Sequence, residues 1–193
     1  MQNTYDVLGE KIIVLDTIND NYDTLKKYLS KYLTDYELER IEKYKNNQDK
    51  INHIISYTLP KIELAKILNI EASNVIIERK ENERPYYKDY DYYYSISHSD
   101  HFVAFVLSKN NVALDIEHRQ FKELKALNYV ASAEEINECA SEDDKLTLWT
   151  FKEAYSKYVG KGLGRYLIDI SKDKIEEKTQ TIYINHLVIT LVK

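Results

Sequence analysis

Three stretches in the second half of the chain hold the side chains whose types and spacing could do chemistry: Ser95-Ile96-Ser97-His98-Ser99, Leu114-Asp115-Ile116-Glu117, and Trp149-Thr150-Phe151-Lys152-Glu153-Ala154-Tyr155-Ser156-Lys157. They supply carboxylates at Asp115, Glu117 and Glu153, ammonium groups at Lys152 and Lys157, and an imidazole at His98. Mg2+ ordinarily takes one or two protein carboxylates and fills its remaining positions with water and substrate phosphate. Cations beside such an ion neutralise the charge that phosphoryl transfer develops. The set therefore points to phosphoryl chemistry.

Each piece also has a plain structural explanation. Strand side chains alternate, so Asp115 and Glu117 share one face while Leu114 and Ile116 anchor the other in a core. An isolated D-x-E, however, is more often a solvated strand end, because such pairs are common. On a helix, Trp149, Glu153 and Lys157 stand at i, i+4 spacing along one side, beside an apolar stripe of Leu148, Phe151, Tyr155 and Tyr158. There Glu153 either completes a metal site or takes a proton, and Lys157, one turn on, can neutralise a leaving phosphate. Alone, the two are an ordinary helical ion pair. His98 sits where an extended segment enters a buried strand, with serines beside it to fix its orientation, and a phosphate contact is open to it. With no second histidine at helical spacing, a zinc hydrolase is unsupported. Gly160, Gly162 and Gly164 close the helix as a C-cap would and do not form a P-loop. Arg84-Pro85-Tyr86 is a rigid extended turn carrying a cation.

The elements that position these groups read as mixed helix and strand. A β-branched run covers residues 11–18, and Thr34-x-x-Glu37 is a capping box that opens an amphipathic helix. A longer helix covers about 49–68, broken or restarted at Pro60, which cannot donate a helical hydrogen bond. Residues 75–79 read as a short strand, 102–107 as a strand buried on both faces, and 112–117 as the next strand after a turn. Helices follow over 121–128, 132–139 and 143–159, and strands close the chain. Eighteen tyrosines are present; Tyr86, Tyr87, Tyr90, Tyr92, Tyr93 and Tyr94 crowd together as half-buried edge structure.

Composition narrows the field. With 32 acidic and 27 basic residues the net charge is -5, which argues against a general nucleic-acid binder. No apolar run is long enough to span a bilayer and the N-terminus lacks signal-peptide order, so the expected location is cytoplasmic and off the membrane. The single cysteine, Cys139, excludes an internal disulfide and a cysteine-based structural zinc site.

Blocks of the first half recur in order in the second. Val14-Leu15-Asp16-Thr17-Ile18 echoes Ala113-Leu114-Asp115-Ile116, Thr34-x-x-Glu37 echoes Ser132-x-x-Glu135, Asp49-Lys50 echoes Asp144-Lys145, and His101-Phe102-Val103-Ala104 echoes His186-Leu187-Val188-Ile189. The order predicts an α+β fold of two similar lobes, residues 1–109 and 110–193, with the site in a cleft between them and the metal-binding carboxylates in the second. A pseudo-dimeric pair of this kind suggests a monomer.

The same residues resemble the Sfp-type 4'-phosphopantetheinyl transferases over most of the chain. That family carries a basic-Pro-x element, an ISHS-like segment, a G-[IV]-D-[IV]-E strand and a W-x-x-K-E-A-x-x-K-x-x-G-x-G-L helix. Here they stand, in order, as Arg84-Pro85-Tyr86, Ile96 to Ser99, Ala113 to Glu117, and Trp149 through Lys152-Glu153-Ala154, Lys157, Gly160, Gly162 and Leu163. The resemblance implies a pseudo-twofold α+β fold with coenzyme A between the lobes. It also implies a reaction, transfer of the 4'-phosphopantetheine arm of coenzyme A to a serine of an acyl or peptidyl carrier protein. Asp115 and Glu117 would hold Mg2+, with Glu153 as third ligand, as base, or both. Lys157 would stabilise the leaving phosphate, Lys152 and His98 would contact coenzyme A phosphates, and Arg84 would hold the nucleotide end. Two positions depart from the pattern: Ala113 replaces a glycine, and the first-lobe arginine that grips the 3'-phosphate has no counterpart, leaving Lys50 or His53 in its place. Two other readings stay open, a metal-dependent phosphodiesterase and a non-catalytic module that binds coenzyme A or a carrier protein.

Overall fold

The computed structural model describes residues 1–79, 84–119 and 124–193. Its element order begins with a hairpin of β1 (Gln2–Val7) and β2 (Glu10–Asp16). Three helices follow, α1 (Tyr22–Leu29), α2 (Asp35–Glu42) and α3 (Asn47–Leu68), then the short ribbon of β3 (Ile77–Glu78) and β4 (Tyr86–Tyr87). Next come β5 (Tyr93–Ser99), β6 (Phe102–Ser108), β7 (Ala113–His118), the helices α4 (Leu127–Val130), α5 (Ala133–Glu138) and α6 (Glu142–Val159), and the final hairpin of β8 (Thr179–Ile184) and β9 (Leu187–Val192). The fold is α+β, as expected. Among the described residues no helix is long and apolar enough to cross a membrane.

Two antiparallel sheets repeat one pairing scheme. The first runs β1-β2-β6-β5 and the second β7-β9-β8. In the first, β2 pairs with β6 and β6 turns back to β5; in the second, β7 pairs with β9, which is joined by a hairpin to β8. The hairpin turns match in detail, since Asp100 and Asn185 both adopt left-handed backbone at φ 52 and φ 51. The carbonyls that follow, on His101 and His186, accept from the N–H of Thr17 and Arg119, the residues just past β2 and β7. The two residues in left-handed backbone are Asp and Asn, side chains that tolerate that region best after glycine. Of the blocks that echo in sequence, His101 to Ala104 and His186 to Ile189 open the equivalent strands β6 and β9, whereas the structural counterpart of Asp16 is His118 rather than Asp115.

Burial follows the strand alternation. One face of the first sheet packs on the helices through Val103, Phe105 and Tyr94 against Ile51, Ile54, Ile55 and Leu64 of α3. The other face, with Ile12, Val14, Ala104 and Val106, packs against Leu114, Ile116, Ile189 and Leu191 of the second sheet. Leu114 and Ile116 are fully buried there, so Asp115 and Glu117 face the opposite way, toward α6 and β5.

Two expectations need correction. Pro60 does not break α3, which runs without interruption through it. Pro60, Ile54, Ile55 and Leu64 are all buried, so packing on the helix outweighs the missing hydrogen bond, and the Pro60 carbonyl accepts from the Tyr87 hydroxyl at 2.9 Å. The strand expected over 75–79 shortens to β3. The tyrosine cluster is half-buried edge structure, as expected, with β5 at the edge of its sheet, although Tyr87 and Tyr94 are core residues; with Arg84 and Tyr90 they line a cavity of about 710 Å3 that reaches Tyr158 and Gly160 at the end of α6. The helix expected over 121–128 lies partly outside the described residues, which give a 3-10 turn at Leu124–Ala126 running into α4.

Candidate active site

The site forms where the open edge of β5 meets β7. Ser95, Ser97 and Ser99 alternate onto one side of β5 and reach across to the neighbouring sheet. Ser95 Oγ accepts from the Leu114 N–H at 3.0 Å, Ser97 Oγ donates to Asp115 Oδ1 at 2.7 Å, and Ser99 Oγ donates to Glu117 Oε2 at 2.6 Å while accepting from the His118 N–H. The serines therefore orient the carboxylates of β7, whereas the sequence reading had them orient His98. His98, one residue out of phase, faces the other side.

Helix α6 delivers the rest. Its start is fixed by a capping box in which Ser141 and Asp144 satisfy each other's backbone N–H, and Gly160 ends it in left-handed conformation at φ 71. Along its inner side, Trp149 Nε1 donates to Glu117 Oε1 at 3.0 Å. Two turns later Lys157 Nζ donates to Asp115 Oδ1 at 2.7 Å and to Ser97 Oγ at 2.9 Å, with a longer bond to the Leu114 carbonyl at 3.3 Å. The i, i+4 series thus lands on β7.

The acids feel one another's charge. Burial pushes the Glu117 carboxyl up to about 7, helped by the negative charges of Asp115 and Glu153 and opposed by the bonds from Ser99 and Trp149. Burial likewise pushes Glu153 up to about 7, with Asp115 adding to the shift and Lys157 opposing it. Asp115 itself is only 3% exposed, and its Oδ2 is buried without a hydrogen-bond partner. An all-oxygen donor set that repels itself and leaves one carboxylate oxygen unpaired fits a small hard dication. As the side chains stand, no group of three or more His, Cys, Asp or Glu among the described residues is arranged to hold a metal, and Lys157, Ser97, Ser99 and Trp149 occupy Asp115 Oδ1 and both Glu117 oxygens.

Histidines line the α3 side. The His98 ring meets His53 edge-on at 5.4 Å, and His53 stacks on Tyr44 at 4.1 Å. Burial, then the His98 charge, lowers His53 to about 4; burial, then Lys157, lowers His98, so both rings are neutral near pH 7. Arg40 of α2 is close enough to contribute to the His53 shift. Of the two residues standing where an arginine was missing, His53 lies beside His98. Lys50 is turned away into Glu42 at 2.9 Å. No sequence signal marked Tyr44 or Arg40, since only the tertiary packing of α2 on α3 brings them here.

Asp115, Glu117, Glu153 and Lys157 are brought together; His98 lies on the other side of β5, near enough for the Lys157 charge to lower it, and Lys152 and Arg84 are elsewhere. Lys152 is fully buried on another side of α6, its ammonium on Glu135 at 2.6 Å and on the Leu167 and Ile170 carbonyls. Arg84 is on the cavity wall, but its guanidinium is spent on Asn111 Oδ1 at 3.1 Å and on the Tyr94 and Val112 carbonyls at 2.7 Å each. Asn111 in turn donates to the Tyr158 carbonyl at 3.1 Å, tying this loop to the end of α6.

Comparison with known proteins finds one family along the chain. A family model described as the 4'-phosphopantetheinyl transferase superfamily matches residues 111–190, and one described as 4'-phosphopantetheinyl transferase, N-terminal, matches residues 22–110. The 4'-phosphopantetheinyl transferase gsp of Aneurinibacillus migulanus is 28% identical over 162 residues, covering 80% of this chain and 67% of that protein.

Proposed function

Since the chain belongs to the 4'-phosphopantetheinyl transferase superfamily, we propose that it moves the 4'-phosphopantetheine arm of coenzyme A onto a serine of an acyl or peptidyl carrier protein in a Mg2+-dependent reaction. The observation that carries the proposal is the unpaired, buried Asp115 Oδ2 beside acids that feel its charge, Glu117 and Glu153, with Lys157 on the other Asp115 oxygen. Asp115 and Glu117 would hold the ion, with Glu153 beside them. Bound there, Mg2+ supplies positive charge to the pyrophosphate oxygens of coenzyme A.

The remaining work falls to side chains. The carrier serine oxygen attacks the phosphorus attached to the pantetheine arm. A new P–O bond forms, the bond to the second phosphate breaks, and adenosine 3',5'-bisphosphate leaves with the electron pair. Glu153, raised toward neutrality by burial, is matched to take the serine proton near pH 7. Lys157 can exchange its long bond to the Leu114 carbonyl for an oxygen of the leaving phosphate while keeping Asp115. His98, neutral and beside Lys157, offers one N–H to the same pyrophosphate. The cavity walled by Arg84 and the tyrosines is of a size for part of a nucleotide-bearing ligand. Because coenzyme A is already activated, positioning and charge neutralisation account for most of the acceleration.

The test is intact mass of apo carrier proteins after incubation with the protein, coenzyme A and Mg2+. A gain of one phosphopantetheine, abolished by EDTA, is the expected result. Coenzyme A cleavage without carrier modification would indicate a phosphodiesterase, and tight coenzyme A binding without cleavage would indicate a binding module.

A further inference from the structure

Lys152 adjoins Glu153 in sequence, yet its ammonium is sealed from solvent on another side of α6. It is held by Glu135 Oε1 at 2.6 Å and by the carbonyls of Leu167 and Ile170, which belong to the segment after the glycine-rich turn. Glu135 is not a stray acid. It is the third residue of α5, and its other oxygen, Oε2, accepts from the Ser132 N–H at 2.9 Å to complete the capping box of that helix.

The first half of the chain builds the same device. Lys61 of α3, 5% exposed, donates to Glu37 Oε2 at 2.9 Å, to Oε1 at 3.2 Å and to the Tyr32 carbonyl at 2.8 Å. Glu37 is the third residue of α2 and closes the capping box of Thr34 by accepting from its N–H at 2.8 Å. In both places a buried lysine from a long helix is held by the capping-box glutamate of a short helix and by main-chain carbonyl oxygen. Two independent occurrences of one arrangement, in halves that also share strand pairing, are hard to assign to a ligand contact at one of them only.

We propose that Lys152 is a positioning residue that clamps α5 and the 165–170 segment to α6, as Lys61 clamps α2 to α3, and that it does not bind coenzyme A. The clamp fixes the rotation of α6 and hence where Glu153 and Lys157 stand. This consequence for catalysis rests on the transferase reading above; the clamp itself does not.

A buried ammonium left without its carboxylate, or the reverse, is strongly destabilising, whereas removing both charges is not. Lys152→Met and Glu135→Gln should therefore each lower Tm by roughly 5–15 °C. Gln keeps the capping box, so E135Q isolates the ion pair. The K152M/E135Q double variant should be no less stable than K152M alone. Coenzyme A affinity by calorimetry in Mg2+ should stay within about threefold of the parent for all three, while kcat for carrier modification falls about tenfold or more at unchanged coenzyme A KM, the signature of misplaced groups.

Additive Tm losses, or a tenfold weaker coenzyme A affinity at unchanged Tm, would overturn the clamp. If K152M does not fold, E135Q decides: a lowered Tm at parental coenzyme A affinity supports the pair, and an unaltered Tm refutes it. Should the parent modify no carrier, the transferase reading fails, yet the Tm cycle still tests the clamp.

Discussion

Asp115→Asn separates chemistry from folding more sharply than any other change in the site. The substitution keeps shape and most hydrogen bonds but removes the charge. Two electrostatic effects then oppose each other. The bond to Lys157 is weakened, and that side chain is 27% exposed, so the loss is on the order of 1 kcal/mol, between surface and buried pairs. Against this, Asp115 is among the charges that push Glu117 and Glu153 up, so its removal relieves repulsion. The two nearly cancel, and Tm without Mg2+ should change by no more than about 3 °C. Binding of an ion to the folded state alone adds about 2.7 kcal/mol at a hundred times its Kd, or about 8 °C for a chain of this size. The parent should show that rise on titration with Mg2+ and D115N should not. Transfer should fall at least a thousandfold, about 4 kcal/mol of barrier. A D115N protein that keeps the Mg2+ shift would refute the assignment of Asp115 to the ion. One that has lost 10 °C before any Mg2+ is added would show that the carboxylate is structural.

Trp149→Phe removes the indole donor from Glu117 while filling most of the same space. A hydrogen bond to a carboxylate contributes about 1.5–3 kcal/mol, so the Mg2+ Kd should weaken by about tenfold, read from the same thermal titration; an unchanged Kd would mean that Ser99 alone orients Glu117. His53 supplies a pH signature. Its folded pKa, about 4, lies below the value near 6.5 of an unfolded histidine, so the unfolded state takes up the proton first and stability falls as pH drops from about 6.5 to 4. With the ring half-exposed the contribution is about 1 kcal/mol. His53→Phe should flatten that part of the Tm curve and leave it unaltered above pH 7, and a parallel loss in both proteins would contradict the assignment.

Much of the site could be read from period alone. The D-x-E spacing on a strand and the i, i+4 spacing on a helix fixed which side chains share a face, and the structure brings those two faces together through Trp149, Lys157 and the β7 carboxylates. Capping boxes at Thr34 and Ser132 were legible because the signature is local, though the one at Ser141 escaped notice with Asp144 in place of Glu. What failed was whatever depends on burial of a polar side chain. Lysine reads as surface in any pattern of hydropathy, so neither Lys61 nor Lys152 announced itself as core. Proline reads as a break, yet Pro60 sits in a helix whose packing holds it. The serines of β5 were assigned to the neighbour in sequence, His98, when alternation sends them to the neighbouring sheet instead.

That last misreading exposes how the site is assembled. Neither sheet could build it alone, because β5 belongs to the first and β7 to the second, and no main-chain ladder joins them. Serine side chains take the place of that ladder: Ser95 accepts from the Leu114 N–H, and Ser99 accepts from the His118 N–H. A hydroxyl thus stands in for a backbone carbonyl at two places along the seam, and the Asp115 and Glu117 side chains are each met by the serine opposite. Had β5 carried apolar residues at 95, 97 and 99, Asp115 would keep only Lys157 and Glu117 only Trp149, and the Leu114 and His118 N–H groups would lose their serine acceptors. The ISHS segment is therefore read more completely as S-x-S-x-S, a polar seam that joins the two sheets and orients the acids.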